Sequence, residues 1–171
     1  MATPNKNDGF EIGQDLEFQR KSWKVQRFGW LVMLLIVVAA LLGLFGGGPL
    51  AHDDAGSKGS TLYVEYQRFQ RYNSPAELRI TVGPGAIRAD STARIWLDRE
   101  WLTASEIKAI VPEPERSENI EDRTVYTFRV APAAAGSLIT FALWTRKIGR
   151  QRGRVGVDAG PSHRFSQFTY P

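Results

Sequence analysis

The chain lacks cysteine altogether and has only two methionines and two histidines among its 171 residues. Without cysteine there is no disulfide, no thiol nucleophile and no cysteine-type zinc site, so a folded domain here depends on its apolar core. The histidines, His52 and His163, are 111 positions apart, and the methionines are Met1 and Met33. Because a metal site needs ligands that converge, we expect no metal and no cofactor.

Sequence signatures of enzymes are also missing. The chain contains no G-x-S-x-G, no G-x-x-x-x-G-K-S/T and no strand-linked G-x-G-x-x-G motif. Acidic residues cluster between positions 113 and 122, but they surround prolines without a ligand spacing, which is typical of a solvated loop. The net charge of +4 is too small to indicate nucleic-acid binding. We therefore predict a protein that is not an enzyme and does not bind nucleic acid.

One long segment carries no charge: residues 28–46, FGWLVMLLIVVAALLGLFG. Nineteen residues are enough for a helix to cross a bilayer, whose hydrocarbon core is about 30 Å thick. Basic residues immediately precede it: Arg20, Lys21, Lys24 and Arg27. Basic residues stay on the cytoplasmic side, so we predict a single-pass protein of the bacterial inner (plasma) membrane with a cytoplasmic N-terminus.

A cleavable signal peptide is the alternative to a permanent anchor. The apolar core of a signal peptide has about 7–15 residues, and small residues occupy alternate positions before the cleavage site. The apolar run here is longer, and the best cleavage candidate, residues 49–51, begins with proline. The sequence therefore favours a retained anchor.

Composition divides the chain into four parts. We predict a cytoplasmic tail over residues 1–27, a transmembrane helix over 28–46, a Gly/Pro/Asp-rich tether over 47–59 and an extracytoplasmic domain over 60–171. The tail is interpreted as mostly disordered, with a helix that starts near Asp15 as the alternative.

The extracytoplasmic part shows apolar and polar residues in alternation, the pattern of strands with one buried face. Eight stretches carry it: 61–69, 76–82, 93–97, 105–111, 124–130, 137–145, 154–157 and 164–170. Short strands with frequent turns predict an antiparallel β-sandwich of immunoglobulin-like architecture, with a small barrel as the alternative. Residues 105–111 also fit a short helix, because Thr103 and Glu106 form a capping-box pattern.

Two features are candidates for contacts with other molecules. The first is the basic segment 146–154, RKIGRQRGR, which we interpret as a hairpin connection that contacts anionic head groups or an acidic partner; an ordinary hairpin tip is the alternative. Its basic residues are Arg146, Lys147, Arg150, Arg152 and Arg154. The second is a face of small residues in the predicted span, Ala39, Gly43 and Gly47, which would let another helix approach closely.

The arrangement resembles uncharacterised bacterial single-span membrane proteins with an extracytoplasmic β-rich domain. The resemblance is carried by WKVQRFGW (23–30) before the span, GLFGGGPL (43–50) after it and the terminal Tyr-Pro; it implies no activity and no site residue. We expect a non-enzymatic accessory protein that docks on another integral membrane protein or on itself. A membrane-tethered binding module for anionic lipid or envelope polymer is the alternative.

Overall fold

The computed structural model describes residues 16–42, 51–130 and 136–171. The chain divides into two compact units, an N-terminal one that contains most of a long helix and a second that contains all the described strands.

The N-terminal helix, α1, runs from Leu16 to Leu41. Its segment Ser22–Leu41 has a mean hydropathy of 1.8 and is long and apolar enough to cross a membrane. The interpretation of residues 1–27 as mostly disordered is wrong from Leu16 onward. No glycine or proline interrupts residues 16–28, and the Arg27 guanidinium lies 4.0 Å from the centre of the Trp23 ring one turn earlier, so the helix continues upstream of the apolar run.

The second unit is built from strands, and the described residues form eleven. They are β1 (His52–Ala55), β2 (Leu62–Gln67), β3 (Phe69–Arg71), β4 (Pro75–Val82), β5 (Thr92–Asp98), β6 (Ser105–Val111), β7 (Arg116–Ile120), β8 (Arg123–Arg129), β9 (Ser137–Thr145), β10 (Gly149–Val157) and β11 (Ser162–Tyr170). A 3₁₀ turn, Pro84–Ala86, precedes β5, and a five-residue helix, α2 (Arg99–Thr103), follows it.

The strands form two sheets, one of five strands in the order β1-β2-β4-β9-β6 and one of six in the order β3-β11-β10-β5-β8-β7. All neighbours are antiparallel except β3 and β11. The alternating apolar residues of both sheets share one core, and across it the rings of Tyr126 and Phe141 lie 5.3 Å apart. The predicted β-sandwich is confirmed, and the barrel alternative is wrong because the described strands form two separate sheets.

Two elements differ from the sequence-based expectations, and a third settles an alternative. Strand β1 lies inside the predicted tether and pairs with β2, so the sheet begins at His52 and not near Ser60. Strand β7 lies in the acidic stretch read as a solvated loop and pairs with β8. Both are polar edge strands that pair through the main chain, so neither shows apolar alternation. Residues 105–111 form β6, and the helix alternative is wrong.

The basic segment 146–154 is not a hairpin. Strand β9 belongs to the five-stranded sheet, where β4 and β6 already occupy both its edges. The chain must therefore leave that sheet, and residues 146–148 cross to the six-stranded sheet, where β10 begins at Gly149. Arg150, Arg152 and Arg154 consequently lie within a strand and not at a turn.

Candidate functional site

Strand β10 presents arginines on the outer face of the six-stranded sheet. Arg150, Arg152 and Arg154 are exposed, while the residues between them are buried, so alternation places the three side chains about 7 Å apart along one line. The antiparallel register with β11 sets Phe168 opposite Arg150, Ser166 opposite Arg152 and Arg164 opposite Arg154. Arg164, which lies outside the basic segment 146–154, therefore stands beside the predicted basic residues.

Two of the five predicted basic residues are held by partners inside the domain. The Nε atom of Arg154 lies 3.2 Å from Asp98 Oδ2, and its Nη2 atom lies 3.4 Å from Asp122 Oδ2. The hydrogen bond to Asp98 raises the pKa of Arg154. Arg146 donates from Nε to Glu106 Oε2 at 2.9 Å. The charges of these two arginines are therefore partly compensated inside the domain.

The other cations of this region have no such partner. Among the described residues, no carboxylate lies within 4.0 Å of Lys147, Arg150, Arg152 or Arg164. Three of them, Arg150, Arg152 and Arg164, stand on the same sheet face. The outer face of β10 and β11 is therefore a surface of uncompensated positive charge.

Aromatic side chains border this charge. Phe168 is 46% exposed and sits in register with the partly buried Phe69 of β3. A depression of about 430 Å³ at this corner is lined by both phenylalanines, by Arg150 and Ser166, and by the Arg68–Asp53 ion pair. We call Phe69, Arg150, Arg152, Arg164 and Phe168 the basic–aromatic face.

Helix α2 flanks the other side of β10. Its single buried residue, Trp101, is 1% exposed and packs edge-on against the Phe165 ring, with centroids 5.1 Å apart. The indole Nε1 donates to Gln167 Oε1 at 2.9 Å, and Gln167 Nε2 donates to the Gln67 carbonyl at 3.0 Å. These contacts fix α2 beside the first half of β10.

A second depression, of about 510 Å³, lies on the five-stranded sheet. Its lining mixes both signs of charge, and the Arg79–Glu77 pair there is closed at 2.8 Å. No group of three or more histidine, aspartate or glutamate residues able to hold a metal occurs in the part of the chain that the structure describes. The basic–aromatic face is the more distinctive surface, because its cations lack internal partners.

The predicted helix-packing face is only partly described. Ala39 lies in α1, whereas Gly43 and Gly47 fall outside the described residues. That face stays a prediction.

Comparisons with known proteins leave the function open. No protein-family model matches the chain, and no curated protein matches it significantly. Among solved structures, a cohesin module from a family 33 glycoside hydrolase of Clostridium perfringens is similar, with 11% identity, a TM-score of 0.43 and coverage of 66% of this chain and 98% of the module. At this level we transfer neither function nor partner from it.

Proposed function

We propose that the protein is a membrane-anchored, non-enzymatic interaction protein that docks on an acidic surface of another membrane protein. In this proposal α1 anchors the chain in the inner membrane with its N-terminus in the cytoplasm, and the β-sandwich lies outside. The supporting observation is the basic–aromatic face, where Arg150, Arg152 and Arg164 are exposed without internal partners.

The chemistry of the face suits a carboxylate-rich partner. An arginine guanidinium offers paired donors that match a carboxylate, and it sheds its water more readily than a lysine ammonium does. Strands β10 and β11 fix the backbone positions of the three arginines, so binding has to order only their side chains. Phe168 adds apolar surface that an incoming partner would bury.

The test compares two sets of arginine replacements on the same sheet. The variant Arg150→Gln/Arg152→Gln/Arg164→Gln removes the uncompensated charge. The control Arg116→Gln/Arg129→Gln removes exposed charges of β7 and β8, each of which is paired with a glutamate. Full-length protein is isolated from its own membranes in mild detergent, and the proteins that accompany it are identified and quantified.

We expect the wild type and the control to retain one integral membrane protein near a one-to-one ratio, and the triple variant to lose it. Equal recovery of the partner by the triple variant would contradict the proposal.

A second candidate function, binding of anionic lipid, is favoured by the exposed Phe168 beside Arg150, because arginine and aromatic residues together suit the membrane interface. Each basic residue near an anionic surface contributes about 1 kcal/mol. Binding of the wild type but not of the triple variant to phosphatidylglycerol vesicles, with no protein partner recovered, would favour this candidate over the first.

A further inference from the structure

Strand β10 is paired along its full length on one side only. On that side β11 pairs with it from Gly149 to Gly156. On the other side β5 pairs with Val155–Val157 alone. Beside Gly149–Arg154, no described strand pairs with β10, because β5 ends at Asp98 and the chain turns into α2. An unpaired strand edge offers main-chain donors and acceptors to an added strand.

A groove of about 500 Å³ lies along this edge, between β10 and α2. Lys147, Arg150 and Arg152 line it on the β10 side, and Glu100 is its single acidic lining residue. None of the three cations has a carboxylate within 4.0 Å among the described residues. The groove is therefore complementary in charge to an acidic occupant.

Gln151 supplies an unused acceptor in the wall of the groove. The residue is 6% exposed, and its Nε2 atom donates to Thr169 Oγ1 at 3.3 Å and to the Lys147 carbonyl. Its Oε1 atom has no hydrogen-bond partner in the described part of the chain. This oxygen is itself buried, so an occupant of the groove reaches it only if the Gln151 side chain turns.

The existing sheet shows what such an occupant needs. The register of β5 with β10 sets Leu97 opposite Val155, so Asp98 is the next residue toward Arg154, and the two form the ion pair at 3.2 Å. If β5 continued, every second residue would lie on the same outer face and approach Arg152 and then Arg150. In this chain those two positions are Glu100 and Leu102, which lie in α2, so a continued β5 would bring one carboxylate, to Arg152, and none to Arg150.

We propose that the partner contributes an extended segment that adds as a strand to the Gly149–Arg154 edge of β10, with acidic residues at every second position facing Arg152 and Arg150. The inference rests on the proposed function and names the form of the partner's contact. Main-chain hydrogen bonds give the segment its affinity, and the alternate carboxylates give it selectivity.

The experiment uses peptides that differ in the main chain alone. The probe is an acetylated seven-residue peptide of alternating glutamate and valine, titrated against the full chain in detergent micelles. Two further peptides carry N-methyl groups on two glutamates or on two valines, so they keep the charge and lose the same number of donors. In a strand, alternate N–H groups point to opposite sides, so only one of the two methylated sets faces β10.

We expect one methylated peptide to bind about tenfold more weakly than the parent, because it loses two main-chain hydrogen bonds to β10. The other should bind within about threefold of the parent. Arg150→Gln/Arg152→Gln should weaken binding of the parent peptide, and Arg116→Gln should leave it unchanged. This pattern supports strand addition.

Other outcomes separate this inference from the proposed function. If both methylated peptides bind like the parent, strand addition is wrong. It is also wrong if the parent peptide does not bind while the native partner is still captured in an arginine-dependent way. In both cases the proposed docking through the arginines is retained. If neither peptide binding nor capture of a partner depends on the arginines, both proposals are wrong.

Discussion

The hydrogen bond from Trp101 to Gln167 holds α2 beside β10, and its contribution to the free energy of unfolding can be measured by substitution. In Trp101→Phe the indole N–H is lost, and Gln167 Oε1, on a side chain that is 2% exposed, keeps no donor from α2. A buried acceptor left unpaired costs about 1–3 kcal/mol. The smaller ring leaves a cavity of about 40 Å³, which adds about 1 kcal/mol at roughly 24 cal/mol per Å³. We expect the free energy of unfolding to fall by about 3 kcal/mol.

The assay is chemical unfolding of the full chain in detergent micelles, followed by circular dichroism so that the lost tryptophan does not alter the signal. A matched control is Trp144→Phe, because Trp144 is partly exposed and its indole donates no hydrogen bond to any residue that the structure describes. That control should lose less than about 1 kcal/mol.

A double-mutant cycle with Gln167→Leu separates the hydrogen bond from the packing. In the Gln167→Leu background the buried Trp101 N–H has already lost its acceptor, so Trp101→Phe removes an unpaired donor there while it opens the cavity. Its cost should therefore drop to about 1 kcal/mol or below, a coupling of at least about 2 kcal/mol. An equal cost of Trp101→Phe in both backgrounds would refute the assigned role of the bond.

Three further predictions follow from other parts of the molecule. The Tyr66 hydroxyl donates to Asp53 Oδ2 at 3.0 Å, and burial together with that bond raises the pKa of Tyr66 to about 12 from 10.0. The unfolded chain loses the hydroxyl proton near pH 10 and the folded chain only near pH 12. The contribution of the protonated Tyr66 to the free energy of unfolding is therefore present below pH 10 and is lost as the pH rises through 12. A pKa difference of two corresponds to about 2.7 kcal/mol of unfolding free energy, which we reduce to about 1–2 kcal/mol because Asp53 is partly exposed. Between pH 9 and pH 12 the free energy of unfolding should therefore fall by about 1–2 kcal/mol more in the wild type than in Tyr66→Phe. Equal falls in the two proteins would contradict this assignment. Gly156→Ala would bring a methyl group to 2.5 Å from the Trp96 ring and should destabilise the fold by about 1–3 kcal/mol in the same unfolding assay, while the control Gly85→Ala, whose nearest atom is 3.5 Å away, should be nearly neutral. If α1 is a retained anchor, alkaline carbonate leaves the chain in the membrane fraction; release of a product shorter by about fifty residues would instead indicate a cleaved signal peptide.

The sheets were predictable where one strand face is buried. In β5, for example, Ala93, Ile95 and Leu97 are buried and alternate with more exposed residues, a pattern that the sequence shows directly. Apolar alternation did not predict strands β1 and β7, because an edge strand is held by main-chain pairing and needs no apolar face. The order of strands depends on contacts between distant parts of the chain, which local patterns do not encode.

The candidate site was predictable only in part. The cluster of basic residues in 146–154 is visible in the sequence, but which members are neutralised depends on Glu106, Asp98 and Asp122, which other elements bring to them. The aromatic border carried one usable signal: Phe165 and Phe168 are three residues apart, so a strand must place them on opposite faces. One of the two therefore had to lie outside, and the structure shows that it is Phe168.

The end of β5 at Asp98 explains the unpaired edge of β10, the groove beside it and the arginines without carboxylate partners. At Asp98 the chain leaves the β5 strand for α2, and Trp101 fixes that turn by packing against Phe165. Had β5 continued in register, it would cover the Gly149–Arg154 edge of β10 and bring Glu100 opposite Arg152, as Asp98 lies opposite Arg154. The Gly149–Arg154 edge is thus open because α2 forms where it does, and Trp101, which lines the same groove as Arg150 and Arg152, holds α2 there.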